Sequence, residues 1–178
     1  MDRSAVTAGA ALLVALFAAF TAMFAVFAPG TPTPDERQEE RRLLGQTAEG
    51  DLLLHMVLFQ RYLEKAAIAG AAEHWELVSF YAEKIEENSQ RVVDGGYVID
   101  DVDVSALAAE VALHRAEALV RAAEAAEPET FRVAYGQMID GCNACHRRSG
   151  YRYVQIVAPD ESEYPSQDFA PLPSSAAP

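Results

Sequence analysis

Cys142-Asn143-Ala144-Cys145-His146 is the stretch on which this 178-residue sequence turns. C-x-x-C-H is the signature of c-type haem attachment. Two thiols about one helical turn apart can add across the two vinyl groups of a haem, and the adjoining imidazole then falls beneath the iron as an axial ligand. Other readings of the pair explain less. A structural zinc site would need two further Cys or His ligands, and the chain holds only 2 cysteines. A thioredoxin-type dithiol needs a βαβ context, whereas the flanking pattern is helical. A plain disulfide would leave His146 without a role.

Upstream of the motif, Pro128 suits the first turn of a helix. That helix runs through Phe131, Tyr135 and Met138 into Cys142, and Gly150 ends it. Three helical stretches precede it. The first runs from Thr47 or Asp51 to Ala69, with Gly70 as its stop, and carries Leu52, Met56, Phe59 and Leu63 on one face. The second runs from Ala72 to Asp94, with Trp75, Val78, Ala82 and Ile85 on one face, and stops at Gly95-Gly96. After an acidic connector, Ser105 is the expected N-cap of the third, whose face carries Leu107, Val111, His114, Ala118 and Val120 and which reaches Ala126. Short connections between helices of this length predict an all-α fold, an antiparallel four-helix bundle with the haem motif on its fourth helix.

Outside these helices the composition changes. Ala5 to Phe27 is a run of 23 residues without a charge. As a helix it would span about 35 Å, enough for a bilayer's hydrocarbon core of about 30 Å. The competing reading is a cleaved signal peptide, but such apolar regions are normally shorter and Pro29 would hinder cutting after Ala28. A transmembrane anchor is therefore expected over residues 1–28, with a signal peptide as the alternative. Residues 29–46 form a Pro-rich and charged linker, in which Pro29 to Pro34 is an extended spacer and Asp35 to Arg42 a solvated pre-helix segment. The four-helix-bundle domain is placed at 47–150. Residues 151–178 form an irregular, extended C-terminal tail, in which Tyr164 and Phe169 are candidates to anchor it.

The net charge is −13. Asp2 and Arg3 cancel within the N-terminal segment, so the excess belongs to the rest of the chain. Such a field repels nucleic acid and steers basic protein partners. No Gly-rich phosphate loop or nucleophile–base pair points to an enzyme, since Gly95-Gly96 reads as a turn.

A haem motif near the end of the last helix of a four-helix bundle resembles the class II cytochromes c, the cytochrome c-prime group and its low-spin relatives. The likeness covers roughly Ala48 to Gly150. LLLHMVLFQRYLEKA, HWELVSFYAEKIEE and SQDFAP also look like stretches of bacterial monohaem cytochromes. By that resemblance Cys142 and Cys145 are the thioether residues of one covalent haem c and His146 is the fifth ligand. It also implies that the distal face of the haem meets the first helix, where Met56 would be the sixth ligand. His55, about 100° round the helix, is the other candidate, and an empty sixth position is the third. His74 reads as a helix-start residue, His114 as a structural or surface histidine and Met138 as packing beside the haem. Arg147 and Arg148 are the candidates to pair with propionates. The chain departs from the class in its apolar N-terminal run and in the length that follows His146.

These readings imply a membrane-anchored monohaem electron carrier, free or bound in a respiratory or photosynthetic complex. The c-type attachment machinery works on the outer face of the bacterial membrane. A single-pass protein of the cytoplasmic membrane is therefore expected, with its haem domain in the periplasm, meeting redox partners and no nucleic acid. A five-coordinate gas-binding protein for NO or CO is the alternative, and a structural haem subunit of a larger assembly a third.

Overall fold

The computed structural model describes residues 33–43, 47–159, 164 and 166–171. The Ala5–Phe27 stretch lies outside the described residues, as do most of the Pro-rich spacer and the end of the tail. Among the described residues no helix is long and apolar enough to cross a membrane.

The fold is all-α. Helix α1 spans Pro34–Leu43, α2 Ala48–Ala71, α3 Trp75–Asp94, α4 Val104–Ala108, α5 His114–Glu124 and α6 Pro128–Arg148. A π-turn over Ala109–Leu113 joins α4 to α5. Helix α1 occupies the segment that the sequence suggested was a solvated approach. Proline at its first position loses no helical hydrogen bond, and Asp35 and Glu36 sit at the positive end of its dipole.

Helix α2 starts where Thr47 caps it, its side chain accepting from the Gly50 N–H at 3.0 Å. The predicted face packs inward: Leu52, Phe59 and Leu63 are buried and Met56 half-buried. Gly70 is not the stop. It lies inside the helix, where a β-carbon would collide with the Phe131 ring of α6, and the chain reverses instead at Glu73, which has a left-handed φ of 55°. Helix α3 then runs back along α2. Asn88 pairs with His55, the Tyr62 and Tyr81 rings stack, and His74 stands at the N-cap position of the near end without a capping bond from its side chain.

Beyond Gly95-Gly96 the acidic connector forms a small hairpin. Val98–Ile99 (β1) pairs antiparallel with Val102–Asp103 (β2). Asp100 and Asp101 both take positive φ, as a two-residue loop of the tightest hairpin type requires. Asp103, not Ser105, caps α4, accepting from the Ala106 N–H at 2.8 Å. The Ser105 hydroxyl is buried and used otherwise. It donates to Val92 O at 2.6 Å and accepts from Tyr97 N–H at 2.7 Å, tying the end of α3 to the start of α4.

The π-turn changes which residues face the core. An extra residue in one turn rotates everything after it by roughly 100°. Leu107 and Val111 are buried as expected, but beyond the turn Ala116, Leu119 and Ala123 are buried and His114 is exposed. Helix α5 packs on α3 and α6. Helix α6 returns along α2, with Phe131 against Gly70 and the Tyr135 hydroxyl donating to Leu63 O at 3.1 Å.

Gly150 ends α6 at φ 90°. The Tyr151 N–H bonds back to His146 O at 2.8 Å, the six-to-one bond of a Schellman cap, and turns the chain back over the motif. Farther on, the tail is held as its aromatics suggested. Phe169 is buried, the Tyr164 hydroxyl donates to Glu64 at 2.6 Å, and Gln167 bonds both Tyr81 and Lys65.

Candidate functional site

The last two turns of α6 carry the motif past an apolar cavity of about 310 Å³. That volume lies at the lower end of the range, about 300–1,000 Å³, in which proteins enclose small molecules and cofactors. Val92 of α3, Ile99 of the hairpin, Val104 and Ala108 of α4 and Ala112 of the π-turn line part of its wall, and three further elements carry the groups that matter chemically. Helix α2 contributes Leu52, Leu53, Met56 and Phe59; α6 contributes Met138, Cys142, Cys145 and His146; the segment after Gly150 contributes Tyr151, Val154 and Ile156. Met56 and His146, about ninety positions apart in sequence, therefore line one space.

Both cysteines are free, half-buried thiols. Burial pushes Cys142 up to about 12, with the neighbouring Cys145 adding to the shift, and burial raises Cys145 as well. A thiol–disulfide catalyst wants the opposite, a depressed value that supplies thiolate. Among the described residues no group of three or more His, Cys, Asp or Glu side chains converges as a metal-ion site. The two sulfurs thus face an apolar space, and no metal-ion cluster of the zinc kind surrounds them.

His146 is held by one specific bond. Its Nδ1 lies 2.9 Å from Val154 O. A carbonyl can only accept, so in that bond the ring carries its proton on Nδ1 and keeps a lone pair on Nε2. This is the state in which an imidazole binds a metal, with its other nitrogen steadied by a backbone carbonyl.

His55 is placed differently. Its Nδ1 meets Asn88 Oδ1 at 2.6 Å, its ring meets Tyr97 edge-on, and it is not among the cavity's lining residues. His74 stands at the start of α3 with its ring turned to Phe169 O at 3.3 Å, and His114 is exposed. Met138 is fully buried against the cavity. Arg148 forks onto Glu110 at 2.7 and 2.8 Å, holding that carboxyl below its ordinary range, and Arg147 is exposed. Neither arginine lines the cavity.

Comparison with known protein families, with characterised proteins and with solved structures returns no match to this chain.

Two further groups had no signal in the motif. Asn143, a free position of C-x-x-C-H, pairs with the backbone of Ile156, and Arg115 on α5 donates to Val111 O beside Cys142. Arg115 could have been suspected only from the π-turn that brings Val111 against α6.

The residues fit a covalently held haem. Two thiols one turn apart, an imidazole with a free Nε2 and a methionine thioether line one apolar space. Leu53 and Val57, otherwise exposed, lie on its α2 side, where a flat apolar group would cover them.

Proposed function

We propose that the chain is a membrane-anchored monohaem c-type cytochrome carrying single electrons between redox partners. The observation that carries this reading is the gathering of Cys142, Cys145, His146 and Met56 on one apolar cavity. Helices running back on one another, α3 on α2 and α6 on α2, support the four-helix bundle of the class II cytochromes c. The C-x-x-C-H motif at the end of α6 supports the same placement.

The roles follow from the side chains. Cys142 and Cys145 would provide the thioether links, and His146 would offer Nε2 to the iron. Met56 would offer it a thioether, the soft partner that raises a haem's reduction potential. A haem c held here supplies an iron that takes up and gives back one electron. The chain's own residues supply apolar walls: with Leu52, Phe59, Met138 and Ile156 around it, a haem seated here would leave little room for solvent to reorganise when the charge changes. The net charge of −13 favours basic partners, among them subunits of a respiratory or photosynthetic membrane complex. The apolar run Ala5–Phe27 would anchor the protein in the bacterial cytoplasmic membrane, its haem domain on the periplasmic side.

The test is the visible spectrum of the purified protein, oxidised and reduced. The carrier reading expects covalent haem, a low-spin spectrum and a weak methionine–iron band in the far red that Met56→Ala abolishes. A high-spin wild type would sink the methionine assignment, and a protein without haem the whole reading.

One observation favours a second reading. Leu52 lies one turn before Met56 on the same wall and is buried, so an apolar side chain is at hand to close a five-coordinate site that binds NO or CO. Rapid stoichiometric CO binding by the reduced protein would select it.

A further inference from the structure

We propose that the segment from Tyr151 to Ile156 is a strap that positions His146, and that Asn143 is its fastening. Asn143 treats the strap as a β-strand would. Its Nδ2 donates to Ile156 O at 2.9 Å, and its Oδ1 accepts from the Ile156 N–H at 2.8 Å. At the strap's other end the Tyr151 N–H donates to His146 O at 2.8 Å, and between the two the Val154 N–H donates to Tyr151 O at 2.8 Å. The strap is thus closed onto the motif at both ends. The carbonyl held between those ends, that of Val154, is the one that takes the His146 Nδ1 proton.

Little else holds this segment near Val154. Tyr153 is 77% exposed, Val157 74% and Val154 40%. The half-buried Ile156 contributes some packing, but packing alone does not aim a carbonyl. The two-point amide bond does, because it fixes the peptides on both sides of Ile156 and with them the course of the backbone at Val154. Asn is suited to this, since one side chain supplies both a donor and an acceptor. Asp would keep only the acceptor, and Ala neither.

The consequence is chemical. Free neutral imidazole in water favours its Nε2–H form, whereas the strap imposes Nδ1–H and leaves Nε2 as the ligating atom. A backbone acceptor on Nδ1 also fixes the ring plane and makes Nε2 a stronger donor. Stronger donation stabilises the ferric over the ferrous state, so the strap would hold the reduction potential down. This last step rests on the cytochrome reading; the tautomer does not. Asn143 is a positioning residue, acting through Val154 on His146.

The experiment has two arms. In the full chain without haem, ¹⁵N NMR above the imidazole's titration range should show His146 mainly as Nδ1–H. Asn143→Ala, which removes both bonds, should move it toward Nε2–H; Asn143→Asp and Ile156→Pro, which each remove one of the two, should move it part of the way. Gln167→Ala loosens the tail elsewhere and should leave the tautomer alone. In the haem-loaded protein, Asn143→Ala should raise the midpoint potential while the optical spectrum stays that of the wild type. A tautomer and a potential both unmoved by Asn143→Ala would overturn the strap. A wild type that takes up no haem would remove the cytochrome reading and leave the NMR arm to decide the strap.

Discussion

Asn88 holds His55 from two directions at once. Its Nδ2 donates to the His55 carbonyl at 3.0 Å, while its Oδ1 meets the His55 Nδ1 at 2.6 Å. Asn88 is 1% exposed, so both bonds are made out of water. They set the register of α3 against α2 one residue before Met56, and they keep the neighbouring imidazole off the cavity.

Asn88→Ala is expected to lower stability by about 1–3 kcal/mol, because the His55 carbonyl loses a buried partner. Urea denaturation of mutant and wild type measures this. If the haem-loaded mutant also shows a weakened far-red band, the Asn88 bond is setting Met56 as well as the fold.

Gly141 lies between the buried Met138 and Cys142, where α6 meets the π-turn. A β-carbon there would sit 2.6 Å from Val111 O and 2.8 Å from Arg115 Cδ. The carbonyl is backbone and cannot swing aside, so Gly141→Ala must push the motif away from Val111. A loss of about 1–3 kcal/mol is expected from overpacking, visible as a lower Tm. Gly136→Ala, with open space around it, should leave Tm unchanged or raise it slightly.

The raised Cys142 thiol makes the haem-free protein alkali-sensitive. The ordinary thiol value is 9.0, and folded Cys142 is raised to about 12. Below pH 9 the thiol is neutral in both states and its contribution is intact. Between about 9 and 12 the unfolded chain releases a proton that the folded chain keeps, so stability falls as pH rises. Denaturation midpoints should drop across that range for the haem-free chain and stay level once the sulfur is a thioether. For the same reason Cys142 should alkylate more slowly than the less strongly raised Cys145, as mass spectrometry of partly modified protein would show.

Phe169 is the buried anchor of the far tail, with its carbonyl on His74 and with Gln167 bridging Lys65 and Tyr81 beside it. Phe169→Ala should free this part of the chain to limited proteolysis at a cost of about 3–5 kcal/mol. Protection of the amides near Val154 should persist, since that segment is fastened separately by Asn143. Simultaneous loss of both regions would show that the tail docks as one unit.

Much of this molecule was legible in its residues. The positions of Leu52, Phe59 and Leu63, or of Phe131, Tyr135 and Met138, recur at helical spacing whatever surrounds them, and Thr47, Pro128 and Gly150 mark helix ends by local chemistry. C-x-x-C-H is equally local, and so named three of the candidate site residues outright. The misreadings fell where a long-range contact outweighed a local preference. Ser105 has the side chain of an N-cap, but Tyr97 and Val92 claim its hydroxyl. Gly70 looks like a stop, but Phe131 needs the space its missing side chain leaves. The face of the third helical stretch was followed at even spacing, and the π-turn rotated it away after Val111.

What the sequence alone determined, then, is an all-α chain with a haem-attachment signature at the end of its last helix, because helical periodicity and a five-residue motif are each contained within a few turns. The tertiary structure decided which of two adjacent side chains, His55 or Met56, lines the cavity, and it revealed the strap that turns His146. Both depend on hydrogen bonds between residues distant in sequence or outside any recognisable motif, Asn88 with His55 and Asn143 with Ile156. No spacing rule records such partners, because a buried amide can satisfy itself with any backbone that folding brings within reach.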